Sequence, residues 1–164
     1  MVDRLQHYQV GVYRCAPSAI PARIAEVLAA RGKTRIAVPI DIPRDWLPQG
    51  SEFVPDSALS YTDLDRCQGV LTGCSAGIAA TGTIVLLHVH GEGRRALTLV
   101  PDYHLSVLDC DQIVDTVPEA IRLLGQGTPR LVTTISGPSA TADIEMTRIR
   151  GVHGPRTLDV VLAG

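Results

Sequence analysis

The sequence predicts an α/β fold, and three observations carry that prediction. An early strand–helix–strand succession is the unit from which parallel sheets are assembled. Aromatic residues make up only 4% of the chain, and its apolar content comes mostly from Ala, Val, Leu and Ile, as in a buried sheet flanked by helices rather than a β-sandwich. At 164 residues, with 45% hydrophobic and 20% charged residues, the chain suits one domain that buries a core without metal or disulfide staples.

Residues Gln9 to Cys15 alternate around Val10, Val12 and Tyr13 and read as the first strand. Ser18 and Pro21 open a helix whose apolar residues Ile20, Ile24, Val27 and Leu28 share one face, and Gly32 is placed to end it. Arg35 to Pro39 is the second strand. The Pro-containing segment Asp41 to Gln49 is a loop with a turn around Trp46, followed by a brief strand at Glu52-Phe53-Val54. Ser57 to Cys67 reads as a short helix, and Gly69 to Gly73 as a buried strand.

Cys74 to Thr83 is dominated by small residues, which let backbones approach each other or a ligand closely. Thr83 to Val89 reads as a strong strand, Gly91-Glu92-Gly93-Arg94 as a turn, and Arg95 to Val100 as a returning strand. That hairpin makes the predicted sheet mixed, though mostly parallel. His104 to Leu108 is a further strand, and Asp109 to Asp115 a loop or edge. Thr116-Val117-Pro118-Glu119 has capping-box spacing, so a helix is expected from Val117 to Leu124, stopped by Gly125 or Gly127. Thr157 to Leu162 supplies a last apolar strand.

The richest stretch chemically is Leu131 to Pro155. A β-branched run to Ile135 is broken by Ser136-Gly137-Pro138-Ser139, and Ala140 to Arg148 has helix-forming character. A strand, turn and helix of this kind gathers N–H groups, small hydroxyls and a helix N-terminus where open α/β sheets bind ligands. Ser136, Gly137, Ser139 and Thr141 are therefore candidate anion-binding residues, with Thr81, Gly82 and Thr83 as a second segment of glycine-flanked hydroxyl character. If strand order brings the two together, they form one pocket of N–H and O–H donors suited to a carboxylate or phosphate. Arg94, Arg95, Arg148 and Arg150 are available to add charge. The structural alternative is that Ser139 or Thr141 merely caps the helix while Asp143 and Glu145 complement its dipole.

His104 and His153 lie at junctions rich in Gly or Pro and are the candidate acid–base residues, with Glu145 the candidate carboxylate. The competing role for each imidazole is to hold a loop by hydrogen bonds. His88 and His90, two apart on a predicted strand, share a face but lack a third ligand at fixed spacing, so no metal site is assigned.

Cys15, Cys67, Cys74 and Cys110 form no C-x-x-C pair or iron–sulfur spacing, so a cluster held by this chain alone is not expected. No dinucleotide fingerprint, Walker loop or nucleophile elbow occurs. The formal charge of −2 comes with no basic run, so neither nucleic acid nor an anionic membrane is an expected partner. With no charged-then-apolar leader and no apolar run approaching a membrane span, a cytoplasmic location with reduced thiols is expected.

Three blocks carry a family likeness: LTGCSAGIAATGTIVL from Leu71 to Leu86, GEGRRALTLVPDYHLSV from Gly91 to Val107, and TISGPSATADIEMTRIRGVHGPRTLDVVL from Thr134 to Leu162. With the strand–helix–strand unit before them, they resemble the LUD domain family of lactate utilization protein C over nearly the whole chain. The resemblance implies a single LUD domain over 1–164 with the NagB/RpiA/CoA-transferase-like fold, a three-layer α/β/α sandwich. It also implies a part in oxidation of L-lactate to pyruvate beside iron–sulfur partner proteins, which would hold the clusters. The alternative is a stand-alone enzyme acting on a small anionic metabolite, as a relative of sugar-phosphate isomerases or CoA transferases. In two respects the chain departs from the family pattern. Ala80 stands where many members carry an acidic residue before the Thr-Gly turn, and the helical N-terminal extension common in relatives is expected to be absent.

Overall fold

The computed structural model describes residues 1–125, 131–142, 148–150 and 154–164, and for 140–142 and 148–150 the main chain alone. Its strands are β1 (Gly11–Cys15), β2 (Arg35–Val38), β3 (Glu52–Pro55), β4 (Gly69–Thr72), β5 (Ala76–Ile78), β6 (Thr83–Leu86), β7 (Tyr103–Asp109), β8 (Ile113–Val114), β9 (Thr133–Ile135), β10 (Ala140–Ala142), β11 (Arg148–Arg150) and β12 (Thr157–Ala163). The helices are α1 (Val2–His7), α2 (Ile20–Ala30), α3 (Tyr61–Asp65) and α4 (Val117–Leu124).

Six strands form one sheet in the order β1-β12-β7-β4-β2-β3, and every neighbouring pair in it is parallel. Such a sheet is stable only when both faces are covered, which explains its near-continuous apolar strands. Successive side chains of β12 point to opposite faces. Val161 and Ala163 meet Ile20, Ile24, Val27 and Leu28 of α2, in the register read from the sequence. Leu158, Val160 and Leu162 meet Leu5 of α1 and Ile84 and Leu86 of β6. On that second face α3 sets Leu64 against Ala37 and Val70, beneath Leu97.

Strand β6 belongs to a four-stranded sheet, β8-β5-β6-β9, whose residues Ala76, Ile78 and Val85 pack with Ala120 of α4. The α/β class expected from the sequence therefore stands. Its antiparallel pairing is confined to this smaller sheet and to the two-stranded β10-β11 ribbon, outside the six-stranded one.

Helix ends follow local chemistry. Gly32, at φ +62°, ends α2 with its N–H on Ala29 O and the next N–H on Leu28 O, the paired bonds of a glycine-terminated helix. Helix α4 spans the residues its capping box predicts, with Glu119 accepting from the N–H groups of Asp115 and Thr116 at 3.0 Å each.

Two local readings are corrected. Arg95 to Val100 is not the return strand of a hairpin; Arg95–Thr98 is a 3₁₀ turn, and β6 pairs with β5 and β9. The cause is Glu92, only 1% exposed, whose carboxylate accepts from the N–H groups of Leu87 and Val89 and from the Ser75 hydroxyl. Those backbone donors leave the ladder, and the strand stops at Leu86. The second correction concerns Ala140 to Arg148, where the structure has β10 pairing antiparallel with β11, Thr141 opposite Ile149. Pairing across the chain overrides local helix propensity there, and the expected helix N-terminus is lost with it. Helix α1 and strands β5 and β8 were not foreseen, because each is short and stabilised by burial rather than by its own pattern.

Among the described residues no helix is long and apolar enough to cross a membrane.

Candidate functional site

The glycine–hydroxyl segments were predicted to converge, and their hydroxyls do meet. Thr81 Oγ1 lies 2.7 Å from Thr83 Oγ1, which lies 2.8 Å from Ser136 Oγ. When this chain of hydroxyls donates outward from Thr81, the terminal proton is that of Ser136, and hydrogen bonds in series polarise one another. Ser136, Gly137 and Ser139 line a hollow of about 310 Å³, together with Arg95, Thr98, His104, Thr133, Gly154 and Leu158 among others. That volume is at the lower end for a small-molecule site.

Thr81, Gly82 and Thr83 do not line the hollow. The Gly82 N–H is spent on Ile78 O at 2.9 Å. At φ +65° a Cβ on Gly82 would lie 2.7 Å from Arg4 Cβ, so the residue serves close packing on α1. Gly137 is placed likewise, at φ +90° and with Tyr8 Cβ 2.7 Å from where a Cβ would stand. The Ser139 N–H donates to Pro155 O at 2.8 Å, which fixes the turn that forms one wall. Thr141 sits on β10, in a strand rather than a helix start. His153 and Glu145 lie outside the described residues.

His104, on β7, forms part of the hollow's lining and is only 1% exposed. Its Nε2 is 2.8 Å from Thr72 Oγ1, and burial pushes its pKa down to about 4. The ring is therefore neutral near pH 7, with one nitrogen a donor and the other an acceptor. His104 and Leu158 are the second residues of β7 and β12, so the hollow lies over the sheet face near the amino ends of those strands. It is not the crevice at the carboxyl edge that α/β sheets commonly use.

That edge has its own hollow, of about 240 Å³, between Trp46, Cys74, His90, Asp109 and Gln112. Its polar groups are largely committed: Gln112 donates to Cys74 O and accepts from the Asp109 N–H, Asp109 accepts from the Asp111 N–H, and His90 meets Asp41. Asp109 also makes it a poor receptor for an anion. Cys74, buried there, has its thiol pushed up to about 12 and donates to Val107 O at 3.3 Å. It is a packed neutral thiol.

The paired-histidine reading of His88 and His90 does not hold, since neither lies in a strand. His88, at φ +55°, bonds Gly93 O and Thr133 Oγ1, while His90 reaches Asp41. Among the described residues no group of three or more His, Cys, Asp or Glu is placed to hold a metal ion.

The residue that sequence reasoning left unresolved is Arg95. Of two neighbouring arginines, Arg94 is bound to Asp56 by two hydrogen bonds of 2.7 and 3.0 Å and to Leu59 O. Arg95 makes no ion pair among the described residues and lines both the 310 Å³ hollow and an adjoining open groove. No spacing in the sequence separates the two, because the Asp56 partner lies 38 residues from Arg94.

A parallel open sheet and a hollow lined by hydroxyls, a neutral imidazole and a guanidinium define an α/β protein with a polar hollow on one sheet face. The LUD domain family model matches residues 57–163, and the chain belongs to the LUD domain family. It is 42% identical over 167 aligned residues to lactate utilization protein C of Deinococcus radiodurans, covering 99% of this chain and 77% of that protein. It is 38% identical to lactate utilization protein C of Halalkalibacterium halodurans over 48% of this chain and 36% of that one. A crystal structure of a DUF162 family protein from Deinococcus radiodurans superposes with a TM-score of 0.85 at 37% identity, covering 99% of this chain and 93% of that chain.

Proposed function

We propose that this chain is a lactate utilization protein C-like subunit that receives a small carboxylate in the hollow between β7, β12 and the Ser136–Ser139 turn. It supports oxidation of L-lactate to pyruvate by an assembly whose iron–sulfur proteins accept the two electrons released. The observation that carries this reading is the 42% identity over 99% of the chain with a relative named lactate utilization protein C. The hollow adds chemical support, because hydroxyls and a cation suit a small acid better than a bulky or apolar ligand.

The test is affinity purification of the tagged chain from native extract of cells grown on L-lactate, with iron and acid-labile sulfide assayed in the eluate. Co-elution of iron–sulfur proteins and loss of growth on L-lactate when the chain is deleted are expected. A chain that elutes alone and turns over a phosphosugar or a CoA ester overturns the reading in favour of a stand-alone enzyme.

A further inference from the structure

We infer that the hollow at the carboxyl edge of the six-stranded sheet is a second binding site, in which Asp109, His90 and Trp46 receive a small organic cation. The ligand class is a primary ammonium or amidinium on a short apolar body.

Strand order places the site. After β2 the chain moves to β3 on one side, and after β4 it moves to β7 on the other, so the winding reverses between the neighbours β2 and β4. Loops leaving the carboxyl ends of two such strands diverge, and open α/β sheets bind ligands in the crevice between them. Trp46 comes from the loop after β2, Gly73 and Cys74 from the loop after β4, and Asp109 and Gln112 from the end of β7 and the turn that follows; all line the hollow of about 240 Å³. It shares no lining residue with the hollow over the amino ends of β7 and β12.

The segment after β6 is fastened to both of those loops. The Gly73 N–H donates to Gly91 O at 2.8 Å, and the Gly91 N–H donates to Asp41 Oδ1 at 3.1 Å. The other oxygen of Asp41 lies 2.9 Å from His90 Nδ1. A carboxylate only accepts, so in the neutral ring Nδ1 carries the proton and Nε2 is an acceptor. An exposed imidazole that lines the hollow thereby gains a fixed tautomer and orientation.

The charge around the hollow has one sign. Among the described residues no Lys or Arg lines it, whereas Asp109 does and enters no ion pair. The Asp109 carboxylate accepts from backbone N–H groups of the turn after β7, which leave its charge in place. Cys74 registers that field: burial pushes its thiol up, and the negative charges of Glu92 and Asp109 push it further. A cation beside Asp109 offsets this charge, and one of its N–H groups suits His90 Nε2. The half-buried Trp46 ring supplies a π-face and apolar surface. Because the volume falls below the usual range of small-molecule sites, the apolar part of the ligand is short.

Trp46 is the only tryptophan of the chain, so its emission reports on this hollow. The test titrates the purified chain with butylammonium, butan-1-ol and butyrate, probes of one length and different charge, by Trp46 fluorescence and calorimetry. Butylammonium is expected to shift the emission saturably and to bind about tenfold more tightly than butan-1-ol, while butyrate leaves the emission unchanged. Asp109→Asn keeps the turn capped, because an amide oxygen accepts the same N–H bonds, and should weaken butylammonium about tenfold. His90→Gln should weaken it about threefold, whereas Asp111→Asn, which removes a neighbouring charge outside the hollow, should change it less than about twofold. Equal binding of all three probes, no saturable binding of butylammonium, or heat from butylammonium without an emission change each overturns the inference. So does an unaltered affinity in Asp109→Asn or His90→Gln, or an equal loss in Asp111→Asn. The probe series needs no variant, so it stands if a variant fails to fold. Butyrate held in the other hollow gives heat without a Trp46 response, so this inference and the small-carboxylate reading fail separately.

Discussion

Thr83 and Ser136 are 53 residues apart in the chain, and their hydroxyl oxygens lie 2.8 Å from each other. This contact joins β6 to the turn after β9 and makes one wall of the hollow continuous with the small sheet. A hydroxyl pair of this kind contributes about 1 kcal/mol. A double-mutant cycle of Thr83→Ala and Ser136→Ala, followed by urea unfolding, should return a coupling energy near that value. Additive effects of the two substitutions would show that the pair is not formed.

The buried imidazole of His104 links stability to pH. Its pKa falls from 6.5 to about 4 on folding, so the unfolded chain binds more protons between those values. Stability from this group is fully present above about pH 6.5 and is lost as pH falls toward 4, by at most about 3 kcal/mol. Urea midpoints measured at pH 7 and pH 5 should therefore fall more steeply in the unaltered protein than in His104→Gln. Parallel loss in both would assign the acid sensitivity to other groups.

Asp159 anchors the amino edge of the sheet. Its carboxylate is 0% exposed, receives two hydrogen bonds of 2.7 Å from Arg31 and accepts from the Tyr103 hydroxyl at 3.0 Å. The Arg31 guanidinium is held charged well above its ordinary range by the hydrogen bond to Asp159. Arg31→Gln leaves a buried carboxylate with a single hydroxyl donor and should cost about 2–3 kcal/mol, reduced from a fully buried pair because Arg31 reaches solvent. Tyr103→Phe should cost about 1 kcal/mol. Neither should alter ligand affinity, because Asp159 faces α2 and the hollow lies on the opposite face. Melting temperature and calorimetry on the same samples separate the two effects.

Gly137 shapes the turn that walls the hollow. At φ +90°, and with Tyr8 2.7 Å from the space a Cβ would take, Gly137→Ala combines backbone strain with a clash against Tyr8. A loss of about 2 kcal/mol and a weaker ligand isotherm are expected. Gly50→Ala, also at positive φ but with open space around it, isolates the backbone component.

The candidate site was legible where punctuation was local. Ser136-Gly137-Pro138-Ser139 marks a turn in any context, and its Ser and Gly residues do line the hollow. His104 stood out because it follows Pro101-Asp102-Tyr103. The distinction between Arg94 and Arg95 was not legible, since the ion pair that occupies the first is formed by a residue from another loop. The strand at Ala140–Ala142 was hidden for a related reason: its residues favour a helix in isolation, and only pairing with Arg148–Arg150 outweighs that preference.

The sequence by itself determined the α/β class, the helix face of Ile20, Ile24, Val27 and Leu28, the capping box at Thr116 and most of the strands, because these follow from periodicity and from neighbours a few residues apart. Only the tertiary structure decided that Thr81–Thr83 support the hollow's wall without lining it, that Glu92 ends β6, and that of the neighbours Arg94 and Arg95 only the first is paired with a carboxylate among the described residues. Those outcomes depend on hydrogen bonds and ion pairs whose partners are brought together by strand order, and no short-range pattern in the chain encodes which partner each group meets.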